Sequence, residues 1–127
     1  MKVAYVFRND MSATFQLASM ILPQLEQGTH GVEVVGMMFF DENVYALSAD
    51  NEIGKRLSKI AEQQNILLMI CDQCALRRGL AEGEFSQCGS GEVKAKNTVN
   101  GVVAGCFPQL YTLCIPDRKP LSAARAV

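Results

Sequence analysis

Five cysteines are the side chains of this 127-residue chain best suited to chemistry. Cys71 and Cys74 form a C-x-x-C motif, whereas Cys88, Cys106 and Cys114 stand apart from one another. The thiolate is the form of cysteine that acts as a nucleophile or a metal ligand. Because the chain has a single histidine, the usual general base and nitrogen ligand is scarce. Cysteine chemistry is therefore the first hypothesis for function.

The C-x-x-C motif lies where an apolar run, Ile66–Cys71, reaches a predicted helix. A helix N-terminus lowers the pKa of a cysteine, because it favours negative charge. Arg77 and Arg78 would add to this effect if they point back, whereas Asp72 would oppose it. We therefore predict that Cys71 is a nucleophile or a sulfur carrier. The structural alternative is a small buried residue at the end of a core strand.

The other cysteines each have two interpretations. Cys106 directly follows the fourth predicted strand, which indicates either a second reactive thiol near Cys71 or a packed turn residue. Cys88 lies in the polar loop Gly83–Asn97, as an incidental exposed thiol or a swinging partner thiol. Cys114 is predicted to be packed in the core. A zinc site needs four ligands, so Cys88 and Cys106 would have to complete it beside the C-x-x-C pair.

The apolar segments alternate in the order expected of an α/β domain. Strands are predicted at Lys2–Phe7, Val32–Phe40, Ile66–Cys71 and Thr98–Gly105, and helices at Ala13–Gln27, 51–64, Ala75–Leu80 and Pro108–Cys114. This alternation predicts a single three-layer domain over residues 1–127, a mainly parallel sheet flanked by helices. Active residues collect at the carboxyl ends of the strands in such sheets. Cys71, Cys74 and Cys106 would therefore meet at one edge.

Two segments depart from this alternation. Residues 83–97 combine glycine, serine and charged side chains, which predicts a flexible loop. Pro116 and Pro120 interrupt regular structure, so the tail over residues 116–127 is predicted to be weakly ordered.

Composition and charge exclude several function classes. Apolar residues make up 49% of the chain and charged residues 20%, which is typical of a globular domain. The net charge of −1 lacks the basic surplus of a nucleic-acid-binding protein. The apolar runs are far shorter than the ~20 residues that span a membrane, and the N-terminus lacks a signal-peptide pattern. We expect a cytoplasmic protein with no nucleic-acid or membrane partner. The common dinucleotide and phosphate-loop motifs are missing, and we expect no cofactor.

The run from Cys71 to Gly79 reads Cys-x-x-x-Ala-Leu-Arg-Arg-Gly. It resembles the motif around the sulfur-carrying cysteine of the TusD-like members of the DsrE/DsrF-like sulfur-relay family. Phe39–Ala46 and Gly101–Gly105 are similar to two further segments of that family, so the resemblance covers about residues 2–115. The sequence departs from the family pattern at Cys74 and Cys106, which add thiols.

The resemblance implies a layered α/β fold and a homotrimer or hexamer. It also implies that sulfur is carried as a cysteine persulfide on Cys71, without a cofactor, between a donor and an acceptor protein. The family's last strand would fall where Pro116 and Pro120 stand, and proline disfavours a central strand. Independently, Val44, Tyr45 and Leu47 lie in a predicted loop, and an exposed apolar patch of this kind is typical of an interface.

These observations predict a sulfur-relay protein with sulfurtransferase-type activity. Cys71 would attack a donor persulfide, hold the sulfane sulfur and pass it to a partner cysteine. Cys74 would accept the sulfur, or release it as hydrogen sulfide by forming a Cys71–Cys74 disulfide. One alternative is a thiol–disulfide redox module that uses this C-x-x-C pair. Another is a cysteine-ligated metal-binding or scaffold subunit.

Overall fold

A computed structural model describes residues 1–85, 87–89 and 92–114. The strands are β1 (Lys2–Phe7), β2 (Glu33–Phe39), β3 (Leu67–Cys71), β4 (Ala81–Glu82), β5 (Lys94–Ala95) and β6 (Val102–Gly105). The α-helices are α1 (Ser12–Gln16), α2 (Leu22–Gln27), α3 (Glu52–Gln64), α4 (Asp72–Leu76) and α5 (Phe107–Cys114). A π-helical turn, Leu17–Ile21, joins α1 to α2, and a 3₁₀ segment, Asp41–Leu47, follows β2.

The main sheet has four strands in the order β1-β2-β3-β6, and every pair is parallel. Its register sets Phe39 opposite Ile70, and Cys71 opposite Gly105. The predicted α/β fold with a parallel sheet is therefore confirmed. Because β3 and β6 are direct neighbours, the ends of these two strands bring Cys71 and Cys106 to the same edge.

Successive residues of the sheet point to opposite faces, and each face has its own apolar cluster. Phe39 and Ile70 belong to the larger cluster, which is packed under the helices α1, α2 and α3. Met38, Met69 and Cys71 belong to the smaller cluster, which includes Leu110 of α5. Both faces are thus covered by helices, as a three-layer domain requires.

The predicted start of the second long helix is confirmed by its N-cap. The Asn51 side chain accepts hydrogen bonds from the backbone N–H groups of Ile53 and Gly54, at 2.9 and 3.3 Å. An asparagine in this position satisfies N–H groups that have no partner within the helix. The helix then ends at Gln64, as its apolar spacing predicts.

The helix predicted at Ala75–Leu80 begins and ends earlier in the structure. It occupies Asp72–Leu76, so the chain passes from β3 into α4 with no intervening residue. The Asp72 carboxylate accepts the backbone N–H of Gln73 at 2.7 Å and thereby supports the early start. Gly79 has φ 74°, a left-handed conformation in which glycine is unstrained, and it turns the chain away.

The prediction of an exposed apolar patch after β2 is wrong for two of its three residues. Val44 and Leu47 are fully buried in the larger cluster, and Tyr45 alone is exposed, at 39%. The cause is the 3₁₀ conformation of this segment, whose period of three residues turns Val44 and Leu47 inward and Tyr45 outward. The oligomeric state therefore loses this support and stays a prediction that light scattering can test.

Part of the predicted loop 83–97 is ordered into a strand. Lys94–Ala95 pairs antiparallel with Ala81–Glu82, and the Val93 side chain is buried. The flexibility of the rest of the loop stays a prediction. The questions about a last strand after Pro116 and a weakly ordered tail lie outside the described residues. Among the described helices, none combines the length and the apolar content that crossing a membrane requires.

Candidate functional site

The C-x-x-C pair lies at the carboxyl end of β3, where strand and helix meet. Cys71 is the last residue of the strand and is 2% exposed, whereas Cys74 lies on α4 and is partly exposed. Their side chains are hydrogen bonded to each other, and the backbone N–H of Cys74 also donates to the Cys71 sulfur. Both thiols of the motif therefore face one point at the edge of the sheet.

The hydrogen bond divides the pair into one neutral and one ionised thiol. Donation from Cys71 lowers the pKa of Cys74 to about 6, although partial burial opposes this shift. The same hydrogen bond, together with burial, raises the pKa of Cys71 well above its ordinary value. Cys74 is thus the thiolate of the pair near neutral pH, and Cys71 is the thiol that donates to it.

Two side chains from outside the motif adjust the charge at Cys74. The Cys74 sulfur lies 3.9 Å from Oδ1 of Asp41, whose backbone N–H lowers the pKa of Cys74 while its carboxylate raises it. Arg78 lowers the same pKa through its positive charge. Arg78 is held by two hydrogen bonds to Glu42, at 2.7 and 3.1 Å, and it donates to the Cys74 carbonyl oxygen at 3.0 Å.

Two further cysteines extend the C-x-x-C pair into a row of thiols. The Cys88 side chain is hydrogen bonded to Cys71 on one side and to Cys106 on the other. Partial burial and the nearby negative groups, which include Asp72, raise the pKa of Cys88. The resulting order in space is Cys74, Cys71, Cys88 and Cys106.

Hydrogen bonds to Gly89 hold the Cys88 loop over the sheet edge. The Gly89 N–H donates to Oδ2 of the buried Asp72 at 2.8 Å, and the Gly89 carbonyl accepts from Nε2 of Gln109 at 3.1 Å. Gln109 in turn accepts the Cys106 N–H at 2.8 Å. We call Asp72, Gly89 and Gln109 the loop clamp. It ties the loop to both α4 and α5, and thereby sets Cys88 between Cys71 and Cys106.

One subset of these residues has the geometry of metal ligands. The sulfur atoms of Cys71 and Cys88 and a carboxylate oxygen of Asp72 all lie within 4.8 Å of one another. Sulfur and carboxylate ligands suit zinc, which takes four ligands in a structural site. Cys74 and Cys106 are the neighbouring thiols from which a fourth ligand could come.

The predicted site residues Cys71, Cys74 and Cys106 are brought to one edge of the sheet, together with Cys88. Arg78 contributes to the charge at Cys74, but Arg77 points away and stacks over Phe85 at 5.7 Å. Cys114 ends α5, and its side chain lies outside the described part of the chain.

Three further residues belong to the site. The sequence places Asp41 at the carboxyl end of a predicted strand, where active residues collect, but it does not predict the contact with Cys74. Gln109 is a lone amide in an apolar helix, a pattern with no specific meaning. Gly89 is one of several glycines in a polar loop.

Comparison with known proteins leaves the family open. No protein-family model matches the sequence, and no curated protein shows significant similarity to it. The resemblance to the DsrE/DsrF-like family rests on the motif after Cys71 and stays a prediction.

Proposed function

We propose that this protein carries sulfane sulfur as a persulfide on its C-x-x-C pair, between a donor and an acceptor protein. The supporting observation is the hydrogen-bonded pair itself, a partly exposed Cys74 with a pKa of about 6 beside the buried Cys71 thiol. At pH 7 a thiol with that pKa is roughly 90% ionised, against a few per cent for an ordinary cysteine. Cys74 is therefore a ready nucleophile under conditions in which most thiols are protonated.

The first step is the transfer of one sulfur atom. The Cys74 thiolate attacks the outer sulfur of a donor persulfide and forms a new S–S bond with it. The S–S bond within the donor persulfide breaks, and the donor cysteine leaves as a thiolate. The sequence predicts this attack for Cys71, but the burial of Cys71 and the partial exposure of Cys74 favour the reverse order. An acceptor thiol then attacks the outer sulfur of the Cys74 persulfide and removes it.

Cys71 offers a second route for the same sulfur. Its thiol is hydrogen bonded to Cys74, so it can attack the inner sulfur of the persulfide. A Cys71–Cys74 disulfide forms, the S–S bond of the persulfide breaks, and sulfide leaves with the proton of Cys71. The sulfane sulfur is reduced by two electrons and the two cysteines are oxidised by two.

Intact-mass analysis after treatment with polysulfide tests the carrier. The wild type should gain the mass of one sulfur atom, and Cys74→Ser should gain none, because a hydroxyl cannot form a persulfide. Cys71→Ser should accumulate more persulfide than the wild type, because the internal release step is lost. Cys114→Ser is the control and should load as the wild type does.

Two other outcomes have definite meanings. Loading that survives Cys74→Ser and vanishes in Cys71→Ser would restore the order predicted from the sequence. No loading on either cysteine, together with reduction of a disulfide substrate, would replace the carrier with a thiol–disulfide redox module.

Metal binding is a second candidate, favoured by the close approach of Cys71, Asp72 and Cys88 within 4.8 Å. Elemental analysis of the purified protein tests it. Stoichiometric zinc that is lost in Cys88→Ser, but kept in Cys114→Ser, would support a metal site. Metal-free protein that still binds no added zinc would exclude it.

A further inference from the structure

We propose that Cys88 and Cys106 form a second redox pair, which takes the disulfide from Cys71 and Cys74 and presents it to an external dithiol reductant. The inference rests on the proposed function, since it begins from the disulfide that remains when sulfide is released. It assigns a role to two thiols that the carrier step does not use. The row of four thiols is the feature from which it follows.

The distances favour exchange between neighbouring thiols. The Cys88 sulfur lies within 4.8 Å of the Cys71 sulfur, and the Cys88 and Cys106 side chains are hydrogen bonded. The backbone of the loop also approaches Cys106, because a Cβ placed on Gly89 would lie 3.4 Å from the Cys106 Cβ. Small side-chain movements therefore suffice to form either a Cys71–Cys88 or a Cys88–Cys106 bond.

Exposure explains why a second pair is useful. Cys71 is 2% exposed, so a partner protein has no access to its side of a Cys71–Cys74 disulfide. Cys88 is exposed at the surface of the loop. Moving the disulfide to Cys88 and Cys106 would carry it from a pair with one buried member to a pair with one exposed and one partly exposed member.

The transfer consists of two thiol–disulfide exchanges. In the first, the exposed Cys88 loses its proton to solvent and attacks the Cys71 sulfur, the Cys71–Cys74 bond breaks, and Cys74 leaves as a thiolate. The Cys88 side chain is hydrogen bonded to Cys71, and the two sulfur atoms lie within 4.8 Å of each other. Cys71 also stands between Cys88 and Cys74 in the row, and this order directs Cys88 to form a bond with Cys71 rather than with Cys74.

In the second exchange, Cys106 attacks the Cys88 sulfur. The Cys71–Cys88 bond breaks, a Cys88–Cys106 disulfide forms, and the proton of Cys106 passes to Cys71. The two exchanges move a disulfide without net oxidation. A dithiol protein is the class of reductant that then reduces the Cys88–Cys106 bond by two electrons and is itself oxidised to a disulfide.

Disulfide mapping after brief oxidation with diamide tests this relay. All variants would carry Cys114→Ser, so that only the four cysteines of the row remain. With all four present, Cys88–Cys106 should become the dominant disulfide. In Cys106→Ser the exchange should stop one step earlier, with a Cys71–Cys88 disulfide and a free Cys74 thiol. In Cys88→Ser the Cys71–Cys74 disulfide should persist and Cys106 should stay reduced.

The relay is overturned if Cys106→Ser contains only the Cys71–Cys74 disulfide, or if the four-cysteine protein forms no Cys88–Cys106 bond. Circular dichroism of each variant shows whether the fold is retained, and Cys106→Ala takes the place of Cys106→Ser if the serine variant fails to fold. Diamide oxidises thiols directly, so the outcome does not depend on sulfur loading. Loading without the relay, and the relay without loading, are therefore separate results.

Discussion

The C-x-x-C pair and Cys88 are held in different ways. Cys71 is fixed by the parallel sheet and Cys74 by the helix that follows it without a loop. Cys88 depends on hydrogen bonds between the Gly89 backbone and two distant side chains, Asp72 and Gln109. Cys71 is therefore fixed by the core, whereas Cys88 is held through its loop. We expect this loop to open while the fold stays intact, which would suit a thiol that must meet a partner.

Hydrogen exchange offers the strongest test of this contrast. Opening free energies range from near zero in loops to the global stability in core strands. The amide of Ile70 in β3 should exchange at least about a thousandfold more slowly than that of Gly89, on the basis of this range. NMR or mass spectrometry can measure both rates. Equal rates would mean that the loop opens only when the whole domain unfolds.

The pKa of Cys74, which is lowered, also distinguishes the C-x-x-C pair from Cys88, whose pKa is raised. Alkylation of Cys74 by iodoacetamide should rise with pH around a midpoint near 6, because the thiolate reacts and forms above its pKa. Arg78→Gln removes a positive charge, so it should raise that midpoint and slow alkylation at pH 6. The pH profile of the alkylation rate provides the measurement.

Arg77→Gln is the matched control for this prediction. Its guanidinium lies over Phe85 rather than beside Cys74, so the midpoint should not move. Identical profiles for both arginine variants would remove Arg78 from the site.

The loop clamp should produce the smallest effect. Gln109→Leu removes the acceptor of the Cys106 N–H and the donor to the Gly89 carbonyl. Formation of the Cys88–Cys106 disulfide should slow roughly threefold, equivalent to about 0.7 kcal/mol, within the range of one hydrogen bond. The rate of Cys71–Cys74 oxidation should stay unchanged. An equal decrease in the rate of disulfide formation at both pairs would show that Gln109 stabilises the whole sheet edge rather than the loop.

Local patterns explain what could be predicted from the sequence. Continuous apolar runs indicated the strands, and the alternation of strands and helices then placed Cys71 and Cys106 at one edge. The start of α4 was missed because it depends on the Asp72 carboxylate, a side-chain contact that residue patterns do not reveal. Val44 was assigned to the surface because a 3₁₀ segment has neither the period of a strand nor that of a longer helix.

The position of Cys88 could not be predicted from the sequence for another reason. It depends on contacts between Gly89 and residues 17 and 20 positions away, and no periodicity links them. Loop residues take their position from such long-range contacts.

The position of β6 next to β3 in the sheet also has a consequence for the nascent chain during translation. While residues 102–105 are still within the ribosome, β3 is an edge strand with one row of backbone N–H and C=O groups unpaired. Its sequence, LLMIC, is uncharged, and such an edge favours pairing with other chains. A polypeptide that stops before Val102 therefore has Cys71 at the end of an unpaired, aggregation-prone edge strand. When β6 pairs with β3, it covers that edge and places Cys106 beside Cys71. Translation must therefore pass residue 106 before the row of thiols can form.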